Sequence, residues 1–158
     1  MTVKIAWQKP ISLGTKATFT KNLENFDFGA CPDEPGIYIF ARKFGKKTLV
    51  PIYIGKAGSN GLRRRLKGQL NNYKLIEALT NEKAGERVLL VGTIKSSSPQ
   101  LIAKKTTLAE RAHVERALTE GHPLINIQLT KQPAHKIEIV GKKSHNHPFP
   151  RLMLHRSR

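Results

Sequence analysis

Two tyrosines fifteen residues apart, Tyr38 and Tyr53, sit in segments of alternating apolar, aromatic and β-branched residues, Gly36 to Arg42 and Thr48 to Gly55. A phenol is a weak acid that becomes useful in proton transfer when a neighbouring cation lowers its pKa. Lys56, three residues after the second phenol, is such a cation, and Arg65 is another. Glu115 and Asn126 add a carboxylate and an amide further along. Phenol, cation and carboxylate are the parts of a site that moves protons or handles an anion, provided that the fold brings them to one place.

The two alternating segments read as a β-hairpin with Gly45 and Lys46 at its turn. That register sets Tyr38 opposite Tyr53 on one face, with Ile37, Ile39, Ile52 and Ile54 on the other face against a core. Gly55 leaves room for a ligand beside the phenols. Pro32 to Pro35 form the turn that launches the hairpin. After the break at Gly58 to Gly61, in which Ser59 or Asn60 offers a cap, a helix begins near Leu62 with a stripe of Leu62, Leu66, Leu70 and Tyr73. Leu75, Ile76 and Leu79 belong to a second short helix ending before Gly85. Arg65 and Gln69 lie one turn apart at the border of the first stripe, so Arg65 can reach back over the phenols, whereas Arg63, Arg64 and Lys67 fan outward.

Arg87 to Lys95 is β-rich and supplies a third strand, and Thr2 to Trp7 and Lys136 to Val140 read as two more short ones. Thr107 and Glu110 match a capping box that starts a helix at Leu108, and Gly121 with Pro123 stops it. On that helix Ala112, Glu115 and Leu118 share a stripe. A carboxylate among apolar neighbours is costly unless paired, so Glu115 calls for a cation, either an arginine or a metal ion. Asn126, between Ile125 and Ile127 just after the helix-ending proline, is placed to fix the local backbone. His113 and His122 read as packing or surface residues, and Cys31 as a packing or loop residue.

Charge limits the partners. Twenty-eight Lys and Arg against eleven Asp and Glu give a formal +17, the balance of a chain that meets a polyanion. No long helix sets a basic face against an apolar one, which disfavours a membrane surface. Aromatics at 6% without a base-stacking motif disfavour an RNA-binding or ribosome-associated protein. No apolar run is long enough to cross a bilayer, and the start of the chain has no secretory h-region. The single cysteine excludes an internal disulfide and suits a reducing cytoplasm, with the chain on the nucleoid when bound to DNA. At 158 residues the chain is long enough for one compact domain with a real core.

Gly36-Ile37-Tyr38 followed by Tyr53-Ile54-Gly55 resembles the paired motif of the GIY-YIG nucleases. Leu62 and Arg65 match the leucine and arginine that follow in that family, and Gln69 stands where many members carry histidine. The family's metal-binding glutamate lies on a later helix, about a dozen residues before the asparagine of a Pro-x-x-Asn sequence. Glu115, eleven residues before Asn126 in Pro123-Leu124-Ile125-Asn126, fits that place, with Glu110 and Glu120 as fallbacks.

The resemblance covers Pro35 to Gln128. It implies a nuclease domain over 35–128, between an N-terminal extension over 1–34 and a basic C-terminal extension over 129–158. The implied fold is α/β (α+β), a small three-stranded antiparallel sheet flanked by helices. The implied activity is metal-dependent hydrolysis of DNA phosphodiesters by an endonuclease of restriction or mobile-element type. Glu115 would then hold one Mg²⁺ or Mn²⁺ mostly through waters. Tyr38 or Tyr53 would orient or deprotonate the attacking water, with Lys56 or Arg65 lowering the phenol's pKa. Arg65 would also neutralise charge on the phosphate, and Asn126 would support the site. Outside the site, Lys46, Lys47, Arg63, Arg64, Lys67, Gln69, Lys104, Lys105, Lys142 and Lys143 would contact DNA. Cutting both strands with one site per chain would take a homodimer or two successive events. The alternative is a non-catalytic basic nucleic-acid-binding module that keeps the nuclease fold.

Overall fold

A computed structural model describes residues 1–81, 84–122 and 124–125, together with the backbone of two strands at 135–140 and 152–155. Strands β3 (Gly36–Phe44) and β4 (Thr48–Ala57) form the expected hairpin, and β5 (Glu86–Thr93) pairs antiparallel with the other edge of β3. These three are the antiparallel centre of a larger mixed sheet. Among the described residues it has seven strands, in the order β4-β3-β5-β1-β6-β7, with β2 also on β5. The far edge of β5 is taken end to end by β2 (Ile11–Gly14) and β1 (Thr2–Trp7), both antiparallel to it. Beyond β1 lie β6 (His135–Val140), parallel to it, and β7 (Leu152–His155), antiparallel to β6. The three-stranded sheet expected from the sequence is thus too small, because the segments before Pro35 and after Gln128 both add strands to it.

Helices cover both faces. On one side Ile37, Ile39, Ile54, Val88 and Leu90 pack with Val3 and Ile5 of β1 against Ile102, Ala109, Ala112 and Ala117 of the long helix α4 (Pro99–Thr119). On the other side Tyr38, Phe40, Leu89 and Val91 meet Leu13, Phe19 of α1 (Phe19–Glu24), Leu62 and Leu66 of α2 (Leu62–Gln69), and Leu75 and Leu79 of α3 (Tyr73–Asn81). A central strand between two helical layers must be apolar on both faces. That accounts for the unbroken buried run from Gly36 to Ala41.

The register corrects the sequence reading. Tyr38 lies opposite Gly55, and Tyr53 lies opposite Phe40. The pairing then shifts, because Ala41 faces Pro51 and leaves Ile52 as the extra residue of a bulge. Proline has no N–H to give to a ladder, so a bulge beside it sacrifices little. The bulge turns Ile52 to the tyrosine side, away from Ile37, Ile39 and Ile54.

Helix ends are also revised. α2 has no side-chain cap from Ser59 or Asn60, since its first residue is preceded by Gly61 at φ 82°. Carbonyls of the launching turn do the capping instead: Leu62 N donates to Glu34 O and Arg63 N to Pro32 O, each at 3.0 Å. A Cβ at Gly61 would run into Asp33 O. α4 starts eight residues before Thr107, with Ser98 accepting from Leu101 N at 3.2 Å and Pro99 in the first turn. It ends where expected: Gly121, at φ 82°, donates to Leu118 O and His122 N to Ala117 O, the paired bonds of a Schellman stop.

Candidate active site

The elements around the edge of β4 bring five of the expected side chains together. Tyr38 comes from β3, Tyr53 and Lys56 from β4, and Arg65 and Gln69 from α2. The two phenol rings stack at 6.1 Å between centroids with 18° between planes. Although Tyr38 and Tyr53 are not opposite one another, two diagonal positions on one face of a twisted pair still put long rings in contact. Gly55 is required by this packing, because a Cβ there would collide with Cζ and Oη of Tyr38. It therefore accommodates the first phenol rather than a ligand.

The phenols are not equivalent. Tyr38 is fully buried, and its hydroxyl accepts from Gln69 Nε2 at 2.6 Å, with Arg65 and the ring of Tyr53 beside it. Burial, and then the neighbouring Tyr53, push its pKa well above the usual phenol range, with Arg65 pulling the other way. Arg65 in turn is held in its charged form chiefly by the neighbouring Tyr38. Tyr53 is half-buried and lines an open pocket of about 500 Å³ with Lys56, Arg64, Arg65, Glu110 and the turn from Gly58 to Gly61.

The carboxylate of this pocket is Glu110. It is 7% exposed, and Lys56 Nζ sits 3.4 Å from its Oε2 while donating to Thr107 Oγ1 at 2.8 Å. Burial raises the Glu110 pKa, opposed by Lys56 first and more weakly by Arg111 and Arg65. Lys56 is thus engaged with α4, and the cation against the phenols is Arg65. Glu115, expected to hold the metal, lies five residues beyond Glu110, about 140° further round α4, and does not line the pocket. Glu120 pairs with Arg116 at 2.6 Å and His122 at 3.5 Å. Asn126 lies outside the described residues.

The residues expected to grip DNA divide. Lys46 and Lys47 are exposed at the hairpin turn, Lys104 is exposed on α4, and Lys105 donates to Lys95 O at 3.4 Å. Arg64 faces the pocket. Arg63 instead turns inward to the short 3-10 segment Phe28–Ala30, donating to the carbonyls of Phe28 and Cys31 at 3.1 Å and to Asp33 Oδ2 at 2.8 Å. Lys67 is exposed, 6.0 Å above the ring of Phe28. Gln69 is buried behind the phenols, and Lys142 and Lys143 lie outside the described residues. Cys31 is buried, which raises its thiol pKa and keeps it unreactive.

Among the described residues no three His, Cys, Asp or Glu side chains converge as a metal cage. A hard cation held mainly through water needs oxygen ligands and space rather than enclosure, and the pocket is open. Glu110 presents one buried carboxylate at its wall. No helix among the described residues is long and apolar enough to cross a membrane. No family model, curated protein or solved structure matches the chain.

Proposed function

We infer that the pocket hydrolyses DNA phosphodiesters as a metal-dependent endonuclease. The observation that carries this reading is the meeting of Tyr53, Arg65, Lys56 and Glu110, from three separate elements, in one open pocket of a chain with formal charge +17. The GIY-YIG resemblance adds that both tyrosines and the arginine of its motif fall in or directly behind this pocket.

Arg64 and Arg65 bind the phosphate, and Arg65 stabilises the charge that grows on it. Tyr53 faces the space where water would stand and orients it, with Tyr38 and Arg65 behind. Glu110, in the role first given to Glu115, is the residue that would hold a Mg²⁺ or Mn²⁺ ion. That ion, when bound, supplies Lewis-acid polarisation of the phosphate. Exposed lysines track the DNA backbone, so affinity falls steeply with salt.

One observation favours the alternative of a non-catalytic binding module: Lys56 already neutralises Glu110 within the chain. Plasmid cleavage at low salt with Mg²⁺ or Mn²⁺ separates the two. Cleavage by the intact protein that Arg65→Ala abolishes supports the nuclease. Binding of every DNA form with cleavage of none supports the module.

A further inference from the structure

Behind the phenols runs a chain of side-chain hydrogen bonds that ends outside the pocket. Asn72 Oδ1 accepts from Leu75 N at 3.2 Å, a bond that caps the first turn of α3. With its oxygen committed to the helix, Asn72 has Nδ2 left to donate, and it donates to Gln69 Oε1 at 2.9 Å. Gln69, only 5% exposed, is committed in turn and gives Nε2 to Tyr38 Oη at 2.6 Å. Arg65 stands beside the same hydroxyl as a cation. A phenol oxygen that receives the Gln69 N–H has its own hydrogen to give, and the phenol stacked against it is Tyr53.

We propose that Asn72 is a positioning residue for the phenol pair: by fixing which end of the Gln69 amide meets Tyr38, it aims the Tyr38 hydroxyl hydrogen at Tyr53 and leaves Tyr53 to receive the proton of the attacking water. This rests on the nuclease reading above. Tyr53 acts as the phenolate: one O–H bond of the water breaks, its proton goes to the Tyr53 oxygen, and the hydroxide oxygen bonds to the phosphorus as the 3′ oxygen leaves. The titratable and charged groups around the pair are Arg65 beside it, Glu110 beyond Arg65, and Lys56 and Arg64 on the pocket wall.

Asn72→Asp in the full chain tests this. Aspartate caps a helix as well as asparagine does, so α3 keeps its first turn. It has no N–H for Gln69, so the amide turns over, its oxygen meets Tyr38, and Tyr53 loses its donor. Asn72→Gly has no side chain to donate, adds no charge and is tolerated at a helix cap. For both variants the expected result is an unchanged melting temperature and KM. Removing one hydrogen bond from the phenolate makes that form scarcer and lowers kcat by about tenfold or more. The rising limb of the kcat–pH profile also moves to higher pH. Cleavage by the intact protein together with an unchanged kcat and profile in both variants overturns the relay alone. Absence of cleavage by the intact protein overturns the relay together with the nuclease reading.

Discussion

Replacing Glu110 by glutamine keeps the side chain's shape and removes a charge that is 7% exposed. Burial has raised this carboxyl's pKa above 4.5, so the charged form is less favourable in the fold than in the unfolded chain. A neutral amide removes that cost. Lys56 loses an ion pair at 3.4 Å, but its side chain is 37% exposed and keeps Thr107 Oγ1 at 2.8 Å. Solvent-screened pairs of this kind contribute at most about 1 kcal/mol. The two effects oppose one another, so Glu110→Gln is expected to melt at or slightly above the intact protein at neutral pH. The native chain loses stability as pH rises through the raised pKa, so the variant's advantage disappears on acidification toward 4.5.

Activity should behave oppositely to stability. Each 1.36 kcal/mol of lost transition-state stabilisation is about tenfold in rate, and loss of the carboxylate that holds the cation is expected to lower kcat about 100-fold or more. DNA binding persists. Glu115→Gln should cleave at close to the intact rate. Thermal melts monitored by circular dichroism and plasmid cleavage with Mg²⁺ on the three proteins decide the matter. Loss of cleavage in Glu115→Gln, with Glu110→Gln still active, would refute the site as described.

The two neighbouring arginines should separate folding from binding. Arg63→Ala takes the side-chain donor from the Cys31 carbonyl, leaves Phe28 O with the Cys31 N–H alone, and is expected to cost about 1–3 kcal/mol in urea unfolding. Arg64→Ala should spare stability while lowering the salt slope of DNA affinity by about one. Gly55→Ala, mild in most strands, should cost about 1–3 kcal/mol in the same assay, because the new methyl meets the buried Tyr38 ring; an unchanged midpoint would show that the ring has room to move. His113 is fully buried, its Nδ1 donating to Ala109 O at 2.7 Å, and burial lowers its pKa from 6.5 to about 4. Its contribution is complete above pH 6.5 and is lost as pH falls toward 4, up to about 3 kcal/mol in all. Urea titrations at neutral pH and near pH 5 measure that slope, and a flat result would contradict a neutral His113 in the core.

Alternation and terminators made much of the fold legible. The hairpin, the strand at Thr2–Trp7, the helix starting at Leu62 and the stop at Gly121 all have local causes. The wider sheet had none that a single segment reveals. Four residues, Ile11–Gly14, are too few to show a period, and they form a strand because β5 offers an edge that β1 covers only near Gly92 and Thr93. The bulge at Ile52 escaped for a related reason. Isoleucine is at home on either face, and which face it takes depends on how Pro51 pairs across the hairpin. Gln69 read as a border residue by helix phase, yet it is drawn fully inward by the hydroxyl of a strand residue thirty-one positions earlier.

The carboxylate that lines the pocket shows how the same spacing can serve two purposes. Thr107 and Glu110 are three residues apart, which suits a capping box but also puts any two helical side chains on one face. Ser98 and Pro99 begin the helix a full two turns earlier, so no orphan N–H claims the Thr107 hydroxyl, and both side chains turn to Lys56. Glu115 drew attention because Ala112 and Leu118 surround it on the helix. Burial of a helical side chain, however, depends on what lies across from it. Here Lys56, on the same sheet face as Ile54, faces Glu110, and α4 crosses beside the edge where Tyr53 opens onto the pocket. Position relative to the second motif strand, more than the apolar stripe, therefore decides which carboxylate lines the pocket, and a lysine directly after that strand's glycine is the residue that marks it.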